Sequence, residues 1–279
     1  MTTWLERQET MRQHVAFIDW CNASDGGLSA LWTPRLAYPY PNVKLCPVLT
    51  KYPSEKGITF DSLCSRYGAI DFQDALANFI VQHNYPELPT SVSRRCADNT
   101  SLPFQRVSVF HKVKFTNGRD PDSKTVDTLH IRPDAHNRYG DTSPGRFDTA
   151  LVKNGSRFRV AQVCVIFRLP KSALSSVFLS SRLAPPTDLA YVEWFSPFTT
   201  PDESHGMCRT SRSHCNGRRS ASIIPLAEVC QSVHLFPIFG PVVPQHWQSS
   251  TALEECHTFY VNPFLDRHMY QNLNVISAN

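Results

Sequence analysis

The chain lacks most of the features that would settle its class at once. No apolar stretch reaches the ~20 residues needed for a membrane-spanning helix. The opening run, Met1 to His14, is charged and has no apolar core of the kind a secretory signal carries. Its nine cysteines are odd in number, irregularly spaced and include no C-x-x-C pair. That pattern disfavours a disulfide framework and fits free thiols in a reducing, intracellular compartment. There is no G-x-S-x-G, no phosphate-binding Walker loop and no G-x-G-x-x-G. Internal repeats and low-complexity tracts are missing too. Charge is nearly balanced at +4 over 279 residues, with an isoelectric point near 8.6. This mild excess permits a polyanion partner without requiring one. Glycine is scarce beside proline, 11 against 21. Proline removes a backbone donor and disrupts helix interiors. The chain should therefore be built of short elements and long ordered connections, not a helix bundle.

Enough apolar material is present for one large or two modest cores, with 41% hydrophobic and 11% aromatic residues. Trp4, Met11, Val15 and Ile18 share one face of a helix predicted over Thr3–Cys21. Residues 33–54 hold five prolines and read as an extended connector. Phe60–Tyr67 predicts a short helix stopped by Gly68, and Asp71 caps a longer one with Phe72, Leu76, Phe79 and Ile80 on its buried stripe. Residues 84–103 look like loop. Alternation then begins: Val107, Val109, His111, Val113 and Phe115 predict a strand, followed by a short one at Thr128–Arg132. From Arg146 onward strands dominate. They are expected at Phe147–Val152, Phe158–Leu169, Leu189–Phe195, Met207–Ser213, Ser220–Pro225, Ser232–Phe236 and His257–Val261. Asn154-Gly155 and Asn216-Gly217 mark hairpin turns. The run around Val160–Phe167 is apolar on both faces, which predicts a central strand.

Chemistry-bearing residues fall into four groups. Arg209, Arg212, Arg218 and Arg219 bracket the Asn216-Gly217 turn and form the best basic patch, either a phosphate-binding hairpin or a solvated one. Lys112 and Lys114 add charge to an earlier strand, with no stacking aromatic paired to them. Tyr191 and Trp194 stand on an aromatic strand that is either an aromatic pocket for a methylated lysine or peptide, or a core strand; the core reading is the simpler. His205, Cys208, His214 and Cys215 are legitimate zinc ligand types at a poor spacing, and a hairpin that happens to carry them explains them better. Asp148, Glu193 and Asp266 are the carboxylates a two-metal nuclease would need, but their spacing does not mark them as a set. Asp266-Arg267-His268 reads as a polar cap. No metal and no cofactor is expected.

The ordered runs Pro144-Gly145-Arg146-Phe147-Asp148-Thr149-Ala150-Leu151-Val152, Arg159-Val160-Ala161-Gln162-Val163 and Leu189-Ala190-Tyr191-Val192-Glu193-Trp194-Phe195 resemble the C-terminal region of Plavaka-type proteins. These are encoded by DNA transposons of mushroom-forming basidiomycete fungi. Ser222-Ile223-Ile224-Pro225, Ser232–Pro237 and Phe259–Phe264 with Asp266-Arg267-His268 are similar as well, as are Asp74-Ala75-Leu76, Leu102-Pro103-Phe104 and Val109–Phe115 upstream. The resemblance implies a fragment that follows a zinc-finger portion and a catalytic transposase portion, so it carries over no catalytic residue. Cys164, Cys208 and Cys215 stand where the family tends to show Arg or Tyr, as expected of a decaying transposon copy. The C-terminal strand pattern is also similar to BAH-like barrels, which are chromatin interaction modules.

The expectation is therefore an α+β chain: a helical region with Pro-rich connectors over residues 1–103, then a mainly antiparallel small β barrel of SH3/BAH-like type over 104–279. The expected role is a non-catalytic, transposon-derived interaction module in the nucleus, with DNA or a chromatin protein as partner and no small-molecule substrate or membrane. A metal-dependent nucleic-acid-processing enzyme is the alternative.

Overall fold

The computed structural model describes residues 45–116, 125–136, 139–155, 157–179, 185–202, 207–215, 217–239, 242, 244–245, 247–248, 251–263, Met11 and Met269. The helix expected at Thr3–Cys21, His205, Asn216 and Asp266-Arg267-His268 lie outside them. The chain divides into two units, Met1–Lys44 and Leu45–Asn279, and nearly all the described residues belong to the second.

This unit opens with strand β1 (Cys46–Leu49), inside the stretch read as a connector, and β2 (Glu55–Thr59). Three helices follow, α1 (Phe60–Tyr67), α2 (Phe72–Asn84) and α3 (Thr90–Asp98). Helix α1 has the bounds its sequence predicts. The Ser62 amide donates to Thr59 Oγ1 at 3.2 Å, and Gly68 closes the helix at φ +69°, a left-handed conformation that costs glycine little. Helix α3 replaces an expected loop. Next come β3 (Arg106–Phe110), β4 (Lys112–Thr116), β5 (Thr125–Arg132), β6 (Ala135–His136), β7 (Thr142–Ser143), β8 (Arg146–Phe147), β9 (Thr149–Asn154) and β10 (Arg157–Arg168). After α4 (Lys171–Val177) and β11 (Asp188–Trp194) lie β12 (Arg209–Ser211), β13 (His214–Cys215), β14 (Arg218–Arg219) and β15 (Ala221–Pro225). A 3-10 turn at Leu226–Glu228 leads to β16 (Val229–Ser232), β17 (Leu235–Pro237), α5 (Ala252–Glu255) and β18 (Thr258–Val261).

The expected helical region plus closed small barrel is not what forms. The described residues are mostly β and make five separate antiparallel sheets, none closed. The main sheet runs β15-β11-β10-β3-β2, with β9 and β16 attached beside β10; a second runs β1-β4-β5-β8. The physical reason lies in two breaks. The strand read across residues 107–115 breaks at His111, so β3 joins the main sheet and β4 the second. The strand read at Ser232–Phe236 breaks as well: β16 pairs with β9, while β17 pairs with β18 in a third sheet. Residues on the two sides of position 103 share a sheet, because β2 pairs with β3.

Strand β10 is central, in keeping with its two apolar faces. Its first half pairs with β9 and its end with β3, while β11 lines its other edge. A bulge between Val163 and Val165 shifts the register. Val113, Phe115, Leu129 and Ile131 from the second sheet pack against Val152, Val163 and Val192 of the main sheet. On the opposite face Leu63, Phe72, Leu76 and Ile80 of the helices pack against Val107, Val165, Phe167 and Tyr191. The result is three layers: sheet, sheet, helices. A satellite core joins Leu151, Val160 and Phe195 to Phe259, Val261 and Met269.

Candidate functional site

Two buried polar residues decide what the arginine hairpin does. Gln162 on β10 and Glu193 on β11 are cross-strand partners and both are buried. Buried polar groups need partners, and the hairpin supplies guanidinium groups. Arg212, with a side chain only 6% exposed, donates from Nη1 to Gln162 Oε1 at 2.6 Å and lies 3.4 Å from Glu193 Oε2. Its Nη2 donates to Leu253 O at 3.1 Å and to Glu254 Oε1 at 2.9 Å. The guanidinium also stacks on the Phe195 ring. Arg219 donates to Glu193 Oε2 at 3.0 Å and also bonds Glu254. Burial pulls the Arg212 guanidinium down from its usual range, and Glu254 and Glu193 oppose that pull. For Arg219 burial acts in the same direction, but Glu254 and Glu193 outweigh it and hold the proton more tightly. Burial raises the Glu254 carboxyl, yet Arg219 and Arg212 bring it below the usual range. The five side chains, Gln162, Glu193, Arg212, Arg219 and Glu254, form an internal clamp tying α5 and the hairpin to β10 and β11.

The patch expected from Arg209, Arg212, Arg218 and Arg219 is therefore split. Arg212 and Arg219 serve the clamp. Arg209 is half-exposed, 3.3 Å from Asp202 and stacked over Tyr260. Arg218 is 71% exposed and reaches back to Asp71 at 2.9 Å. Asp71 marks the start of α2 without a side-chain capping bond. The sequence could not show this division, because Gln162 and Glu193 are polar letters that face inward.

Tyr191 and Trp194 do point to opposite faces, but each enters a core. Tyr191 is 1% exposed and packs near Phe72. Trp194 donates from Nε1 to Ser222 Oγ at 2.7 Å and lies under the Arg159 guanidinium. They form no open aromatic pocket. Cys208 is buried, which pushes its thiol up, while His214 and Cys215 sit on an exposed hairpin. The carboxylates Asp148 and Glu193 are engaged separately. Asp148 accepts from Arg146 Nε at 2.8 Å and from the His130 amide at 2.8 Å. Among the described residues no three His, Cys, Asp or Glu side chains are placed to hold a metal ion.

The structure brings together a group the sequence reading had not assembled. On the second sheet, β4 alternates exposed Lys112 and Lys114 with buried Val113 and Phe115. Register places Lys112 opposite His130 and Lys114 opposite Thr128, while Arg132 pairs with Arg146 on β8. All of these stand on the outward face. A second cluster sits at the β3–β4 break. The Tyr67 hydroxyl is 2.9 Å from His111 Nε2 and 3.2 Å from Glu55 Oε1, and Arg66 binds Glu55 through both guanidinium nitrogens.

Residues 33–204 match the family described as Domain of unknown function (DUF6830). The chain belongs to that family. The DUF6830 match contains the basic sheet face and the Glu55–His111 cluster, and it ends before the arginine hairpin. No curated protein and no solved structure matches the chain. No described helix is long and apolar enough to cross a membrane.

Proposed function

We propose that this chain is a non-catalytic interaction module of a transposon-derived, Plavaka-type protein, working in the nucleus on DNA or on the proteins that package it. The observation that carries the reading is the sorting of charge. Of the carboxylates a metal site would need, the two among the described residues are taken up by guanidinium groups: Glu193 between Arg212 and Arg219, and Asp148 beside Arg146. Cations are left over on another surface, and the chain is net positive. A protein arranged this way is suited to hold an anionic partner more than to organise divalent cations. The resemblance to Plavaka-type C-terminal regions supports the same role.

The test uses the full chain, with duplex DNA and reconstituted mononucleosomes titrated at several salt concentrations. Binding that weakens steeply with salt is the expected result. Magnesium-dependent nicking of plasmid that disappears in Asp148→Asn would overturn the non-catalytic reading and favour the processing enzyme.

A further inference from the structure

We propose that the outward face of the β1-β4-β5-β8 sheet docks the phosphate backbone of duplex DNA, with Lys112, Lys114, Arg132 and Arg146 as the contacting cations. The inference rests on the interaction-module reading and names its surface and its partner. The four cations come from three adjacent strands, with His130 among them. Strands in a sheet lie ~4.8 Å apart, and same-face residues along a strand ~6.8 Å. Four cations therefore share a compact patch.

Two features make this a binding face more than a solvated one. First, Arg132 and Arg146 are direct cross-strand partners, and like charges so placed oppose the pairing of their strands. Of the two arginines Asp148 offsets only Arg146, from a side chain that is 18% exposed and that also lies 3.4 Å from His130 Nδ1. Second, among the described residues Lys112, Lys114 and Arg132 meet no carboxylate; Arg132 reaches only the Ser143 hydroxyl, at 3.3 Å. The hairpin arginines, by contrast, are each paired with an acid. Concentrated unpaired cations favour a polyanion.

The neighbouring outward positions select the form of nucleic acid. Val48 sits opposite Lys114, and Val126, Thr128 and His130 alternate along β5. None of these is Phe, Tyr or Trp. Single-strand binders use such rings as stacking platforms. Asn and Gln, which read base edges, are missing from these positions too. The face is thus suited to a duplex backbone, held through its phosphates.

Fluorescence anisotropy of the full chain with a labelled random-sequence duplex, from 50 to 200 mM salt, tests this. The double variant Lys112→Ala/Lys114→Ala should weaken binding at least ~10-fold at low salt and reduce the salt slope by ~2. Both lysines are exposed, so circular dichroism and thermal midpoint should be unchanged. Arg209→Ala/Arg218→Ala should bind like the wild type. If the hairpin variant loses binding and the lysine variant keeps it, the face is wrong while the interaction-module reading stands. Absence of duplex binding by the wild type overturns the face outright. If mononucleosomes still bind, and equally well after the lysine changes, the reading survives through a protein contact. Tighter binding to single strands, indifferent to the lysine changes, also overturns the face.

Discussion

Arg212 shows how one residue can change meaning between sequence and structure. In the sequence it is one of four arginines around a turn. In the fold it is the cation that satisfies Gln162 and Glu193 between the two longest strands of the main sheet. Removing one partner from a buried ion pair leaves an uncompensated charge. Arg212→Ala should therefore cost on the order of 3 kcal/mol, with Arg219 keeping part of the Glu193 charge covered. Urea denaturation measures it. A double variant that also carries Glu193→Ala should lose less than the sum of the single losses, because the orphaned charge is gone. Strict additivity would mean that Arg212 acts through packing on Phe195 and not through the clamp. The same residue accounts for the mistaken view of the hairpin. The spacing of arginines is visible in a sequence, but the inward orientation of their acidic partners depends on strand register across residues 162, 193, 212 and 254.

Elements bounded by local chemistry were legible. Helix α1 lies between a Thr59 cap and a left-handed Gly68, and both are decided within a few residues. Strand β10 reveals its central place through apolar residues on both faces. Helix α3 was missed because Pro89 and a run of Ser and Arg look like loop; its support is tertiary, with buried Ser93 bonding Asn78 of α2. The break at His111 was missed because alternation continues through it. That break is fixed by the Glu55 cluster, which ties α1 and β2 to the β3–β4 junction. Groups facing His111 are Glu55, Arg66, Tyr67 and, at longer range, Arg132. Burial lowers the His111 imidazole below its usual range, with Glu55 pulling it partly back. Arg66 holds the Glu55 carboxyl low against burial. Both folded values lie below their unfolded ones, so each group's contribution is present at neutral pH and is lost as pH falls. For His111 the loss begins near the unfolded value of about 6.5 and runs down through its lowered folded value; that of Glu55 follows at lower pH. Urea midpoints at pH 7.5, 6 and 5 should fall, and His111→Gln should flatten the upper part of the decline. An unchanged decline in that variant would place the proton uptake elsewhere.

At the scale of the whole molecule, the family match and the folded unit do not coincide. The DUF6830 match stops at residue 204, yet the main sheet continues into later sequence. Strand β15 covers the free edge of β11, and β16 covers that of β9. Ile223 completes the helix-facing core, while Ile224 and Val229 complete the core between the sheets. The clamp crosses the same boundary, since Gln162 and Glu193 lie before it and Arg212, Arg219 and Glu254 after it. A chain ended at residue 204 would expose two long apolar strand edges and leave Glu193 without a cation. Exposed edges of that kind pair with other chains. Residues 45–204 should therefore show no cooperative thermal unfolding and should associate on size exclusion, whereas residues 45–279 should melt in a single transition. Supplying residues 205–279 as a separate chain should restore cooperativity if the missing strands are the cause. A monomeric 45–204 fragment with a sharp transition would show that β15, β16 and the clamp are additions to an already complete domain.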